Sequence, residues 1–153
     1  MSNTYSSMFF HLIWSTKQRY PFLTEQTKEH VYRYATGIIK NQGAQLLAID
    51  GIEDHVHLLI KTFPSIAISS LVREIKVGTS KFVHEQYGEV PMLQKFSWQE
   101  GYGVLSVSSS KLNIVKNYIA GQEEHHKKMS FEKEYLMLLQ KHGVIYDTKY
   151  VFG

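Results

Sequence analysis

The segment HVHLLIKT, which begins at His55, carries two histidines at a spacing that suits a metal site. In an extended strand successive side chains alternate between faces, so His55 and His57 leave the same face with their Cα atoms about 6.6 Å apart. Two imidazoles at this spacing can converge on one metal ion, but the pair is also typical of an ordinary, partly exposed strand. A histidine-triad nucleotide hydrolase is excluded, because Leu59 occupies the position of that motif's third histidine. Glu53 and Asp54, just before the pair, are either carboxylates that orient an imidazole or plain turn residues.

A tyrosine and a glutamine further along the chain fit the same chemistry. Tyr118 and Gln122 are four residues apart in a predicted helix and therefore share a face, although a single helical tyrosine is often a half-buried boundary residue. With a divalent ion on His55 and His57, a phosphodiester is polarised, Gln122 supplies an amide oxygen as third ligand, and Tyr118 attacks phosphorus. The phosphotyrosine ester keeps the bond energy, so rejoining needs no ATP. Mixed nitrogen and oxygen ligands suit Mn²⁺ and admit Mg²⁺.

Hydrophobic periodicity and turn residues predict strands and helices that position these groups. The predicted strands cover residues 7–14, 45–50, 55–62 and 104–107, with Gly51–Asp54 as a hairpin turn. The predicted helices run from an N-cap at Thr24 to about Asn41, over 65–86, from a Ser108–Ser110 cap through Tyr118, and over about 130–141 with Ser130 as cap. Gly121 is expected to bend or interrupt the helix of Tyr118.

The order β-α-β-β-α-β, followed by helices, predicts an α+β fold of the ferredoxin-like, split β-α-β type. Such a fold has an antiparallel sheet with two helices on one face, plus a C-terminal helix that carries the tyrosine. The other face needs cover from nucleic acid, a partner subunit or the C-terminal helices. The length of 153 residues suits a single domain, 1–153.

The composition is compatible with a cytoplasmic protein that binds nucleic acid. The chain has a net charge of +3, eight further histidines and no cysteine, which excludes disulfides and thiolate metal sites. Ten Tyr, eight Phe and two Trp offer rings on which unpaired bases can stack, although most rings are expected in the core. No apolar run is long enough to span a bilayer, and the N-terminus lacks a signal-peptide pattern, so we expect a cytoplasmic protein without a membrane partner.

Basic residues near these elements are candidates for contacts with DNA phosphates, or are ordinary solvated charges. They lie in the loop after the first strand, along the second long helix and beside the tyrosine segment: Lys17, Arg19, Arg73, Lys76, Lys81, Lys111 and Lys116. The cluster His125, His126, Lys127 and Lys128 can also bind phosphate, and its histidines are not assigned to metal.

Several segments together resemble the single-tyrosine HUH transposases of the smallest bacterial insertion sequences, the IS-two-hundred-like group. HUH denotes two histidines that flank a bulky apolar residue, here Val56. The matching segments are HLIWSTKQRYPF (11–22), GIEDHVHLLI (51–60), SWQEGYGVLSVS (97–108) and NYIAGQEEH (117–125).

The resemblance implies a DNA transposase in which Tyr118 is the nucleophile and His55, His57 and Gln122 hold the divalent metal, Mg²⁺ or Mn²⁺. It implies cleavage and rejoining of single-stranded DNA with hairpin ends, through a tyrosine joined to a 5′ phosphate and a free 3′ hydroxyl. It also implies an obligate homodimer in which the tyrosine helix of one subunit completes the partner's metal site. The connector to that helix, Ser108–Ser110, is polar but contains no glycine.

Two other functions remain open. A domesticated relative would carry out the same chemistry on repeated chromosomal hairpins, and only the presence of terminal hairpins beside the gene separates it from an autonomous element. A non-catalytic ferredoxin-like nucleic-acid-binding module would bind through its sheet and would tolerate Tyr118→Phe. Binding alone does not call for His55, His57 and Gln122 together, which favours the transposase.

Overall fold

The sheet has four antiparallel strands. The computed structural model describes residues 3–153, and the strands are β1 (Met8–Ser15), β2 (Gln45–Ile52), β3 (His55–Thr62) and β4 (Gly103–Val107). Their order in the sheet is β2-β3-β1-β4, so β3 is paired on both sides. This is the predicted ferredoxin-like arrangement, and a strand held on both edges is a rigid support for side chains.

Five α-helices complete the fold: α1 (Glu25–Asn41), α2 (Ile68–Gln86), α3 (Leu112–Ala120), α4 (Gln122–His126) and α5 (Phe131–Lys141). The predicted caps form at two of them. Thr24 accepts a hydrogen bond from the backbone N–H of Thr27, and Ser130 accepts one from Lys133. Short 3₁₀ turns occur at Lys17–Arg19, Pro91–Lys95 and Ser109–Lys111.

Helices α1 and α2 cover one face of the sheet. The strands bury alternate apolar side chains toward these helices, as the two-residue period requires. On that side lie Leu12, Trp14, Val56, Leu58 and Ile60, which pack with the apolar stripes of α1 and α2 in one core.

The C-terminal helices cover the opposite face. A second core forms there between Ile13 and Leu105 of the sheet and the α5 residues Phe131, Tyr135 and Leu138. Of the three kinds of cover expected from the sequence, the structure therefore supplies the chain's own helices. His55 and His57 lie on this face, beneath those helices.

Some predicted boundaries differ from the structure. Helix α2 begins at Ile68 rather than residue 65, because the backbone N–H of Ile66 bonds to the carbonyl of Phe63 and closes a turn. Strand β2 continues to Ile52, which pairs with His55, so the hairpin turn contains two residues rather than four.

The segment before and within the tyrosine region also departs from the prediction. Ser108–Ser110 forms no side-chain cap, and α3 begins at Leu112 after a 3₁₀ turn. Gly121 ends α3, and Gln122 begins the separate helix α4, so the expected interruption is found.

Within residues 3–153, no helix combines the length and the hydropathy that a membrane span requires.

Candidate active site

The two histidines of β3 lie at the centre of a buried polar cluster. Both side chains are fully buried, and both face α3, α4 and α5 rather than the core of α1 and α2. The shared face follows from their alternate positions on the strand. Ile13 and Ser15 of β1 pair with His57 and His55, and this pairing fixes where the imidazoles lie.

Tyr118 and Gln122 meet these histidines. The amide Oε1 of Gln122 lies 2.9 Å from Nε2 of His55. The Tyr118 ring is edge-on to His57, with ring centroids 5.8 Å apart. All four residues singled out in the sequence therefore converge, although α3 ends between Tyr118 and Gln122. The break does not separate them, because Gln122 Nε2 still donates to the carbonyl of Tyr118 at 3.4 Å.

Glu134 of α5 belongs to the same cluster, although no sequence motif indicated it. Its side chain is fully buried, and Oε1 lies 2.9 Å from Nε2 of His57 and 3.6 Å from Nε2 of His55. Its other oxygen, Oε2, accepts hydrogen bonds from the hydroxyl of Tyr118 and from Nε2 of Gln122. One feature of the sequence could have indicated Glu134: it is a carboxylate on the apolar face of a predicted helix, next to Tyr135.

His126 is the second missed residue. Its Nε2 lies 2.9 Å from Oε1 of Gln122 and 3.0 Å from Oε1 of Glu134. The signal was its spacing of four residues from Gln122, which places both side chains on one face of α4. His125 lies at the edge of the same cluster, with Nε2 3.3 Å from Oε2 of Glu134. Neither histidine was assigned to metal from the sequence.

The Nδ1 atoms of His55, His57 and His126, which face away from the centre of the cluster, each have a polar contact of their own. Nδ1 of His55 lies 2.7 Å from the carboxylate of Asp54, so Asp54 orients an imidazole rather than serving only as a turn residue. Nδ1 of His57 lies 2.7 Å from Nε2 of His11. Nδ1 of His126 donates to the carbonyl of Met129 at 2.6 Å, since a carbonyl only accepts. Such contacts turn Nε2 of each ring toward the centre, as in histidines that bind metals.

Burial sets the protonation of these histidines. It lowers the pKa of His57 to about 4, against the opposing effect of its hydrogen bond with Glu134. Burial, together with the neighbouring His57, lowers the pKa of His11 to about 3. His126 differs: burial acts against its charged form, but the hydrogen bond with Glu134 prevails and raises its pKa.

The carboxylate and the phenol shift in opposite directions. Burial alone would raise the pKa of Glu134, but hydrogen bonds from His126 and His57 outweigh it and hold that pKa well below its usual range. Burial and the hydrogen bond to Glu134 raise the pKa of Tyr118 well above its usual value. In the resting protein Glu134 is therefore ionised and Tyr118 keeps its proton.

A cleft of about 470 Å³ opens beside Tyr118. Its lining combines the apolar side chain of Ile114 with the basic groups of Lys111, Lys141 and His142. This mixture suits a nucleic-acid strand, whose bases are apolar on their faces and whose phosphates are negative. The cleft is the open approach to the phenol.

The remaining basic candidates are scattered around the molecule. A groove of about 680 Å³ along α2 has Arg73, Lys76 and Lys81 in its lining, but shares no lining residue with the cleft of Tyr118. Lys17 is exposed, and Lys116 is half-buried on α3.

Arg73 and Lys81 are exposed and pair with Glu74 and Glu85 of the same helix, whereas Arg19 and Lys76 are partly buried and contact other segments of the chain. Arg19 forms an ion pair with Glu132 at 3.2 Å. Lys76 donates hydrogen bonds to the backbone carbonyls of Gln99, Glu100 and Gly101, and burial lowers its pKa to about 8. Lys76 therefore holds a loop of the protein, which the sequence pattern did not indicate.

A ferredoxin-like sheet whose central strand presents a His-X-His pair to a tyrosine and a glutamine defines the single-tyrosine HUH class of DNA-processing proteins. The family described as "Transposase IS200 like" matches residues 4–122. The chain belongs to this transposase family, which confirms the resemblance drawn from the sequence motifs.

Individual relatives agree with this assignment. The chain is 26% identical over 120 residues to the ISDra2 transposase TnpA of Deinococcus radiodurans, covering 75% of this chain and 84% of that protein. It is 23% identical over 120 residues to the transposase for insertion sequence element IS200 of Salmonella typhimurium, covering 77% and 78% of the two proteins.

Solved structures share the fold. The crystal structure of a candidate transposase from Deinococcus radiodurans aligns with a TM-score of 0.65 at 25% identity, over 80% of this chain and 95% of that one. The structure of a REP-associated tyrosine transposase bound to a REP hairpin aligns with a TM-score of 0.55 at 17% identity, over 82% and 74% of the two chains.

Proposed function

We propose that this transposase cleaves and rejoins single-stranded DNA at hairpin ends, with Tyr118 as nucleophile and a divalent ion held by His55, His57 and Gln122. The observation that carries the proposal is the convergence of these four side chains on one buried centre beside an open cleft. A DNA substrate is compatible with the cytoplasmic location expected from the sequence.

The residues at the centre fit a divalent ion. Imidazole nitrogens and amide oxygens are good ligands for Mn²⁺, and Mg²⁺ is the abundant alternative. The Nε2 atom of His55 and Oε1 of Gln122 are 2.9 Å apart. Neighbouring ligands in octahedral coordination at about 2.1 Å are separated by a similar distance, about 3.0 Å. When bound, the ion would neutralise and polarise the scissile phosphate.

Tyr118 is positioned before it reacts. Its phenol is protonated and oriented by Glu134 in the resting protein. In the cleavage step the phenolic oxygen forms a bond to phosphorus while the bond from phosphorus to the 3′ oxygen breaks. The net reaction moves one proton from the phenol to the leaving 3′ oxygen, so the products are a 5′-phosphotyrosine and a free 3′ hydroxyl. Attack by a 3′ hydroxyl reverses the step and rejoins DNA.

The proposal includes a homodimer whose tyrosine helices are exchanged between subunits. In the single chain Tyr118 already lies next to its own His57. A mixture of Tyr118→Phe and His57→Ala subunits distinguishes the two arrangements. Exchanged helices leave one mixed site with both its tyrosine and its histidines, so cleavage should return on mixing. A site built within one chain leaves every site defective, and the mixture stays inactive.

A denaturing gel tests the chemistry. The full-length protein is mixed with labelled single strands from both flanks of its gene, with Mn²⁺ or Mg²⁺. We expect a covalent protein–DNA band that Tyr118→Phe abolishes and that Tyr150→Phe, an exposed control, retains. If no adduct forms on any flank, with Mn²⁺ or with Mg²⁺, the proposal is contradicted. Binding of hairpin DNA without an adduct would identify a non-catalytic binding module.

A further inference from the structure

Glu134 is a buried carboxylate whose cationic neighbours are all histidines. Its exposed fraction is 0%, and in residues 3–153 its ion-pair contacts are to His55, His57, His125 and His126 rather than to any lysine or arginine. An ionised carboxylate without water needs a compensating charge. Imidazoles supply that charge when protonated, or they bind a metal cation that supplies it.

The centre of the cluster consists of imidazole nitrogens and amide or carboxylate oxygens that lie within hydrogen-bond distance of one another. Nε2 of His126 lies 2.9 Å from Oε1 of Gln122 and 3.0 Å from Oε1 of Glu134, and Nε2 of His57 lies 2.9 Å from Oε1 of Glu134. These spacings match the roughly 3.0 Å between neighbouring ligands in octahedral coordination. The donor atoms of His55, His57, His126 and Glu134 all lie within 4.8 Å of one another.

The Nδ1 atom of His126 makes the hydrogen bond that is usual for the ring nitrogen of a metal-binding histidine that does not face the metal. It donates to the carbonyl of Met129, so in the neutral ring Nε2 carries the free lone pair and faces the cluster. His126 and Glu134 both follow Gln122, the last residue matched by the family, so the two contacts come from the C-terminal part of this chain.

We propose that His126 and Glu134 are additional ligands of the ion in the proposed active site, through Nε2 and Oε1, and that the site is therefore selective for Mn²⁺ over Mg²⁺. The inference rests on the proposed function for the ion itself. With Gln122, the site then offers three imidazole nitrogens and two oxygens. A set with a majority of nitrogen ligands suits a transition metal, whereas Mg²⁺ prefers oxygen ligands and retains water.

Binding of Mn²⁺ to the metal-free, full-length protein tests the assignment without DNA. The free-Mn²⁺ signal in electron paramagnetic resonance gives the dissociation constant, and added Mg²⁺ measures the preference. Glu134→Gln and His126→Asn should each weaken Mn²⁺ binding by about 100-fold. Removing a residue that only hydrogen-bonds to a metal ligand already lowers metal affinity by about 10–100-fold, and loss of a ligand itself should cost at least as much. Glu132→Gln, a partly exposed carboxylate on the same helix, should bind as the wild type does.

The outcomes separate this inference from the proposed function. If His57→Ala loses Mn²⁺ while Glu134→Gln and His126→Asn keep wild-type affinity, the ion is present and the additional ligands are wrong. If the wild type binds neither Mn²⁺ nor Mg²⁺, the metal-assisted function fails as well. Equal affinity for Mg²⁺ and Mn²⁺ overturns the selectivity.

A measurement on the wild type avoids any loss of folding in the variants. Pulsed electron paramagnetic resonance of the Mn²⁺-loaded protein should show three coordinated imidazole nitrogens. Labelling the glutamate carboxyl carbons with ¹³C should add a coupling from the bound carboxylate. Two nitrogens and no ¹³C coupling would overturn the proposal.

Discussion

The hydroxyl of Tyr118 donates a hydrogen bond to Oε2 of Glu134. Glu134 lies on α5 and is the carboxylate of that helix that contacts the buried histidines. The same carboxylate reaches Nε2 of His57 through its other oxygen at 2.9 Å. One side chain therefore links the proposed nucleophile to the proposed metal ligands. Any change in charge at the histidines will be felt at the phenol, because the two oxygens share a single negative charge.

Mn²⁺ should stabilise the folded protein, because the assembled site exists only in the native state. At a concentration of 100 times the dissociation constant, the gain is about 2.7 kcal/mol. For a chain of this size that is a rise in melting temperature of roughly 5–10 °C. Thermal unfolding with Mn²⁺ and with a chelator measures it. His57→Ala should lose the rise and His84→Ala should keep it; an undiminished rise in His57→Ala contradicts the assignment of His57.

Acid should destabilise the metal-free protein partly through His11. Its pKa is about 3 in the folded protein against 6.5 when unperturbed, so between these values the unfolded chain binds a proton that the folded chain does not. The free energy of unfolding therefore rises with pH in this window, by up to about 1.4 kcal/mol per pH unit for one proton. The stability is complete above pH 6.5 and is lost as the pH falls toward 3.

His11→Asn isolates that contribution. The neighbouring His57, Glu134 and His142 remain, and His57 acts in the same direction because its pKa is also lowered by burial. Denaturant unfolding at several pH values, with chelator present, should give a shallower slope for the variant between pH 6.5 and 4. The exposed His30→Asn serves as control. An unchanged slope in His11→Asn would show that His11 does not stay neutral in the folded protein.

Gly51→Ala should disrupt the hairpin that presents His55. A Cβ at this position would lie 2.1 Å from the backbone oxygen of His55 and 3.0 Å from Cα of Val56, and backbone atoms cannot move aside like a side chain. We expect a loss of at least about 1–3 kcal/mol, together with weaker Mn²⁺ binding. Gly37→Ala on α1 meets no atom within 4 Å and should stabilise its helix by up to about 1 kcal/mol. Equal urea midpoints for the two variants would contradict this account.

Lys76→Met should destabilise the protein, whereas Lys81→Met should not. Lys76 donates to three backbone carbonyls of the loop at 99–101, and its loss should cost about 1.5–3 kcal/mol. Lys81 is exposed and pairs with Glu85 at 3.9 Å, which predicts a change within about 0.5 kcal/mol. Chemical denaturation measures both variants. A larger loss for Lys81→Met would reverse these roles.

Much of the fold and part of the candidate site could be predicted from the sequence. The two-residue period of the strand places His55 and His57 on one face whatever packs there, and the cap at Thr24 begins α1 as expected. The interruption at Gly121 was also predictable, because the signal is local. These features depend on residues close together in the chain, where spacing alone determines geometry.

Contacts between distant segments required the tertiary structure. The site includes Glu134 because α5 packs on the sheet through Phe131 and Tyr135, and no local spacing shows that this carboxylate reaches His57. Lys76 looks like a surface charge on α2 until the loop at 99–101 lies over it. The sequence by itself determined the strand, the histidine pair and the tyrosine segment. Only packing decided which buried charges meet, since burial and pairing depend on the whole chain rather than on its neighbouring residues.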